Sequence, residues 1–185
     1  MEWAAGSPRT TVVPMGDYLM LHASDGGVGS LMATFFVLLT LTSLALISAW
    51  LLYVDLREHR LPGAVVRPTW VGAGILLTAA ALLSGEPTRI VGMVLGSVGM
   101  WLLYFLLHRA SRGALGLGDV RLAGLLGTVL GFASVWNVLW GVILGFVVGG
   151  VIAVFLLISK RAKATDRVPF GPAMLVGAAL ALVLV

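Results

Sequence analysis

Long runs of apolar residues, each ended by a short polar stretch, constrain this chain more than any other feature. Runs such as 31–54 and 135–159 are long enough to cross a bilayer core of about 30 Å as helices. Of the 185 residues, 59% are hydrophobic and only 11% are charged, unlike a soluble domain. We therefore expect an all-α integral membrane protein, because a helix satisfies its own backbone hydrogen bonds in lipid.

The apolar runs predict a bundle of about six transmembrane helices. The predicted spans cover residues 31–54, 69–83, 90–107, 119–132, 135–159 and 168–185. Residues 1–30 show no helical period, so we expect a loose N-terminal tail followed by a membrane domain over 31–185. The 24 glycines favour close helix packing, and Gly141, Gly145 and Gly149 lie on one helical face.

Lysine and arginine lie almost entirely on one side of this predicted topology. The loops after the first, third and fifth spans carry nine of them, whereas the opposite side has only Arg9 and Arg89. The positive-inside rule therefore predicts a plasma-membrane protein with both termini outside and these loops in the cytoplasm. The basic residues form no patch with aromatic residues, so the net charge of +4 does not indicate nucleic-acid binding.

One acidic residue, Asp119, stands at the start of the fourth apolar run, behind Gly113, Gly116 and Gly118. An ionisable group at such a depth is costly, which makes it a functional candidate by default. The alternative is structural, because an aspartate at a helix start can serve as the N-cap and is favoured by the helix dipole. Asp119 alone does not decide between the two.

A second aspartate, Asp55, ends the first span and so lies at the same predicted cytoplasmic level as Asp119. Two carboxylates that meet across a bundle can share a proton, so that one activates water while the other protonates the oxyanion of a peptide. This aspartyl-protease chemistry needs no metal, no cofactor and no nucleophile from the protein, and the chain has no Cys. The alternative for Asp55 is a solvated loop residue that pairs with Arg57 or Arg60.

Two further alternatives stay open. Asp55, Glu58 and His59 have the spacing to ligate a metal, although no second cluster completes a coordination shell. A small transporter, or a non-catalytic assembly protein, could use Asp55 and Asp119 to bind a proton or an ion. Against the transporter, the spans show no inverted repeat and no ionisable residue near mid-membrane.

Three motifs resemble those of the type IV prepilin leader peptidases and the archaeal preflagellin peptidases, which are GxGD intramembrane aspartyl proteases. Residues 55–62 (DLREHRLP) are similar to the family's D-x-R-x-x-x-[IL]-P segment. Residues 116–122 (GLGDVRL) are similar to G-x-G-D-x-K-L, and residues 169–172 (PFGP) to a P-F-G-P run near the last helix. Gly63 stands where the family usually has Asn, and Arg121 where it usually has Lys.

The resemblance implies a function and a site. Asp55 and Asp119 would be the catalytic pair of a peptidase without a cofactor or metal. Its substrate would be a prepilin-like or pseudopilin protein with a short basic cytoplasmic leader ahead of an apolar helix. The long bifunctional members carry a Cys-rich, zinc-binding segment and also N-methylate the product, so a chain without Cys is similar to the peptidase-only form. The implied substrate-binding or active-site loop residues are Gly116, Gly118, Arg121, Pro169, Phe170, Gly171 and Pro172.

Overall fold

A computed structural model describes residues 15–58, 63–111, 115–158 and 170–185, without the side chains of 51–58, 63–64 and 156–157. Over these residues the chain is helical. The helices are α1 (Met15–Ser24), α2 (Val28–Glu58), α3 (Gly63–Leu83), α4 (Thr88–Ala110), α5 (Leu117–Ala133), α6 (Val135–Ile158) and α7 (Gly171–Leu184). The expectation of an all-α membrane protein is confirmed, and the chain is a multi-pass membrane protein.

The predicted count of six spans is wrong and is corrected to about four. Among the described residues, four segments are long and apolar enough to cross a membrane: Val28–Trp50, Val65–Leu83, Thr88–Ala110 and Val135–Phe155. The helices α5 and α7 have only 17 and 14 residues. At 1.5 Å per residue they are about 26 and 21 Å long, which is less than a bilayer core of about 30 Å.

The short helix α5 lies at the centre of the bundle. Every residue from Leu122 to Ala133 is buried, and so are Asp119 and Val120. The helix packs against α3, α4, α6 and α7. A helix that is hydrophobic all round is usually buried on all sides, and α5 is enclosed by protein from Leu122 to its end.

Four glycines join α4 to α5 in an antiparallel contact that we call the glycine seam. Gly92 faces Gly131, and Gly96 faces Gly127. A Cβ atom on any of the four would collide with the carbonyl oxygen of the glycine it faces. Each helix therefore carries a GxxxG spacing that lets the two backbones touch, as is common between membrane helices.

The glycine face predicted on α6 is confirmed as a packing surface. Gly141 lies against the side chain of Leu130 in α5, and Gly149 lies against the ring of Phe170. Between them, the backbone of Gly145 touches Gly177 of α7. Small residues at these positions let both the central helix α5 and α7 pack closely against α6.

Residues 15–24, which the sequence assigns to a loose tail, form helix α1 against the bundle. Met15 and Tyr18 are buried, and the ring of Tyr18 meets that of Phe132 edge-on with centroids 5.5 Å apart. Only these two of its ten residues are buried, so the helix has almost no apolar period to detect. The domain division at residue 30 stays a prediction.

Candidate active site

Several helix ends meet at one end of the bundle, which we call the aspartate end. The helix α5 starts there, and α4, which runs antiparallel to it, ends there. The α7 start also lies there, because the ring of Phe170 packs 6.0 Å from that of Tyr104 in α4. The α2 end at Glu58 is separated from the α3 start at Gly63 by four residues, a link of under about 20 Å. The motif-bearing helix ends are thus collected on one side.

Asp119 is the third residue of α5, and its side chain is turned back toward the helix start. The residue is 8% exposed, and its Oδ2 accepts a hydrogen bond from the N–H of Gly116 (3.2 Å). Gly116 holds the N-cap position, so Asp119 is not the N-cap itself. It supplies the acidic half of a capping box, in which a side chain at the third position satisfies the N–H of the cap residue. The carboxylate is thereby held at the positive end of the central helix.

The loop before α5 is tied to the end of α4. His108 Nδ1 donates to the carbonyl of Leu115 (2.6 Å), which requires the proton on Nδ1 because a carbonyl oxygen only accepts. The N–H of Leu115 donates to Ser111 Oγ (3.3 Å). These two bonds fix the chain just ahead of Gly116 and so set where α5 and its aspartate begin.

Tyr104 is a site residue that no sequence motif identifies. The register of the glycine seam sets Asp119 opposite Tyr104, and the tyrosine lies within electrostatic range of the carboxylate. Tyr104 is 1% exposed and belongs to the buried face of α4 together with Met93, Gly96 and Met100. This spacing of three and four residues is the signal that could have identified a polar group on the inner face.

The residues of the PFGP motif begin α7 beside Tyr104. Phe170 packs against Tyr104 and Phe146, with centroids 6.0 and 5.3 Å away. Gly171 is buried, and Pro172 stands in the first turn, where a residue without an N–H leaves no donor unsatisfied. Pro169 lies outside the described residues.

Asp55 is in the last turn of α2, at the aspartate end. Its side chain lies outside the part of the chain that the structure describes, as does that of Glu58, and His59 is also outside it. The pairing of Asp55 with Asp119 stays a prediction, and so does the alternative metal cluster.

The three remaining site candidates are at the first turns of α5. Gly116 is exposed and Gly118 is partly exposed. A Cβ on Gly116 would lie 3.3 Å from Asp119 Oδ2, so glycine leaves this side of the carboxylate open. Arg121 lines a cavity next to Asp119 together with residues of α3 and α4.

Comparison with known proteins decides the family. Residues 39–158, more than half of the chain, match the model of the type IV leader peptidase family. The chain belongs to the type IV leader peptidase family. This confirms the resemblance inferred from the three motifs.

Two relatives of this family member are prepilin leader peptidase/N-methyltransferases. The protein of Dickeya chrysanthemi is 32% identical over 133 residues, which are 71% of this chain and 45% of that protein. The protein of Stutzerimonas stutzeri is 26% identical over 132 residues, which are 70% of this chain and 44% of that protein. The chain thus spans less than half the length of these relatives. No solved structure matches it.

Proposed function

We propose that the chain is an intramembrane aspartyl endopeptidase that removes the leader of type IV prepilin-like proteins. The observation that carries the proposal is the setting of Asp119. It is a buried carboxylate, oriented by the start of the central helix, at the end of the bundle where α2 brings Asp55. Membership of the leader peptidase family supports the same conclusion.

In this proposal Asp55 and Asp119 act together on one water molecule. The ionised carboxylate takes a proton from the water as its oxygen attacks the peptide carbonyl, while the protonated one donates to the oxygen that becomes negative. As the C–N bond breaks, the carboxyl group that took the water proton gives it to the leaving amine. The other carboxylate recovers its proton from a hydroxyl of the tetrahedral intermediate, which leaves a carboxylic acid product. The helix dipoles favour the anion at Asp119, which is at a helix start, and the proton on Asp55, which is at a helix end.

The Lys and Arg distribution supports a cytoplasmic location for the aspartate end and an outer location for both termini. The scissile bond would then lie at the inner membrane boundary, between a short basic leader and the apolar helix of the substrate. A small residue such as Gly before the cut would keep the backbone extended and accessible, because a helical peptide bond is shielded by its own hydrogen bonds.

The experiment is co-expression with a prepilin-like substrate, with cleavage read as a mobility shift. Asp55→Asn and Asp119→Asn are each expected to lower cleavage at least about 100-fold, since neither acid can complete the proton transfers alone. Asp17→Asn, which changes an exposed aspartate of α1, is the control and should cleave normally. Near-normal turnover by either of the first two variants would show that the pair is wrongly assigned.

The orientation has its own test, because the chain has no native cysteine. A single Cys in place of Ala164, in the segment between α6 and α7, should be inaccessible to an impermeant thiol reagent added to intact cells. Labelling from outside would place the basic segments, and the proposed site, on the wrong side of the membrane.

A further inference from the structure

A cavity of about 310 Å³ lies beside the start of α5, separate from the Asp119 carboxylate. We call it the arginine pocket. Three helices of the aspartate end contribute to it, namely α3, α4 and α5. Asp119 is not in its lining, although the next two residues of the chain are. The described lining consists of Arg67, Trp70, Trp101, Phe105, Leu117, Val120 and Arg121.

The arginine pocket combines two cations with a rigid aromatic wall. No Asp or Glu is among its described lining residues. The rings of Trp101 and Phe105 are stacked, with centroids 5.2 Å apart and planes 5° from parallel. Trp70 is fixed by a hydrogen bond from Nε1 to Thr128 Oγ1 (2.9 Å) and by its contact with Gly124. The cavity therefore offers positive charge beside packed aromatic rings.

Helix direction gives the charged and the aromatic lining residues opposite tilts. In an α-helix each Cα–Cβ bond tilts toward the helix N-terminus. Arg67 and Arg121 belong to helices that start at the aspartate end, so their side chains lean toward the membrane boundary. Trp101 and Phe105 belong to a helix that ends there, so theirs lean toward the membrane centre. Guanidinium groups that lean toward the headgroup level, and rings that lean toward the membrane centre, suit a lipid phosphate and its chains.

We propose that the arginine pocket binds the phosphate of an anionic membrane phospholipid, such as phosphatidylglycerol. Guanidinium groups bind phosphate through paired, charge-assisted hydrogen bonds. The glycerol and upper chain atoms would lie against Trp101 and Phe105. The chains would leave over Trp101, which is 36% exposed.

Two features favour a lipid over the other anions available at this boundary. A free phosphate would satisfy Arg67 and Arg121 but leave the stacked aromatic wall without a partner. The leader of the proposed substrate is basic and would be repelled by the same two arginines. A phospholipid with a net negative headgroup matches both the charge of the two arginines and the chemistry of the aromatic wall.

Lipid binding to the purified full chain in detergent, measured by native mass spectrometry, tests the proposal. The wild type should retain one phosphatidylglycerol more strongly than phosphatidylcholine of the same chains. Arg121→Gln and Arg67→Gln should each weaken that binding, and the double variant should weaken it at least about tenfold, because each removes a charged hydrogen-bond donor. Arg109→Gln, which changes an exposed arginine of the same end outside the pocket, is the matched control.

A second variant separates the apolar wall from the charge. Phe105→Leu keeps both arginines and should weaken phosphatidylglycerol binding without creating a preference for inorganic phosphate. The proposal is overturned if Arg109→Gln weakens lipid binding as much as Arg121→Gln, or if millimolar phosphate displaces the lipid. It is also overturned if the double variant binds lipid normally and instead raises KM for a prepilin-like substrate, since the pocket would then serve the substrate.

Discussion

A charged group lies at each end of α5, but the surroundings of the two groups differ. At the C-terminal end, Arg89 donates to the carbonyls of Phe132 (2.8 Å) and Ala133 (3.4 Å) and pairs with Glu86. Its guanidinium also lies 4.3 Å from the ring centroid of Tyr18. At the N-terminal end, Asp119 is held by a glycine cap and lies next to a cavity lined by two arginines.

This difference separates a charge that serves stability from one that stability alone does not explain. A cation at a helix C-terminus satisfies carbonyls that have no partner within the helix and is favoured by the dipole. Arg89 does this with contacts that all belong to the fold. At the other end, the dipole also favours the Asp119 anion, but an ionisable group buried near the membrane boundary is costly, which favours a functional role for it. We infer that the aspartate end is the functional one.

The largest effect should come from Asp119→Asn, and it should fall on activity alone. Cleavage is expected to drop at least about 100-fold because an amide cannot transfer the proton. The amide oxygen can still accept from the N–H of Gly116, so the thermal midpoint should change little. Cleavage and the thermal midpoint should be measured in one detergent preparation. If the midpoint fell as far as it does for Arg89→Gln, the two ends of α5 would not differ in this way.

The glycine seam joins the two ends, and Gly127→Ala should weaken both. The added Cβ would meet the carbonyl oxygen of Gly96, so α4 and α5 must separate, at a cost of about 1–3 kcal/mol in unfolding free energy. Gly99→Ala in α4 is the matched control, because its Cβ would meet nothing within 4 Å; helix propensity favours it by up to about 1 kcal/mol. Equal midpoints for the two variants would disprove the close backbone contact.

Arg89→Gln should lower stability while leaving the chemistry intact. Removing the guanidinium leaves the carbonyls of Phe132 and Ala133 and the carboxylate of Glu86 without their partner, which costs about 1–3 kcal/mol. Peptidase turnover, measured well below the thermal midpoint, should match the wild type. A loss of turnover without a loss of stability would place function at this end as well.

The smallest effect is expected for Tyr18→Phe, and it should depend on pH. Burial raises the pKa of Tyr18, and Arg89 partly offsets this. The Ser84 hydroxyl lies near Tyr18 but donates to the carbonyl of Ala81 (3.2 Å). The Tyr18 hydroxyl therefore has no hydrogen-bond partner among the described residues. At neutral pH the substitution should therefore change stability by less than about 1 kcal/mol.

The alkaline response gives that variant its readout. Because the folded pKa lies above the unfolded value near 10, the neutral tyrosine stabilises the fold fully below pH 10. Its contribution is lost as the pH rises further, since the unfolded state then releases the proton first. Between pH 8 and pH 10.5, the thermal midpoint should decrease less for Tyr18→Phe than for the wild type. An identical fall would mean that Tyr18 takes no part in it.

Local patterns predicted six of the seven described helices and the starting point of the candidate site, but not α1. Apolar runs identify the six longer helices, and a glycine-rich stretch followed by Asp119 identifies the start of α5. The span count failed because an apolar run has the same composition whether lipid or protein surrounds it. Only packing shows that α5 is enclosed by its neighbours.

Residues whose role depends on which helix faces meet were not predictable in the same way. Tyr104 becomes a site residue only through the register of the glycine seam, which sets it opposite Asp119. In the sequence, Arg89 served only as evidence for the topology, yet its guanidinium donates to a carbonyl at the C-terminal end of α5. Arg67 and Arg121 are 54 positions apart in the chain and share one cavity. Each of these depends on contacts between distant segments, which carry no local signal.

In the proposed function, the register of the glycine seam would also give the bilayer a part in catalysis. Asp119 is level with Tyr104, six residues before α4 ends at Ala110, which is about 9 Å along the helix axis. A bilayer whose hydrocarbon thickness matches the whole of α4 would cover that depth, whereas a thinner one would leave it nearer to bulk water. Hydrophobic mismatch would therefore control how readily water reaches the carboxylate. We therefore expect turnover to depend on acyl-chain length, independently of the headgroup.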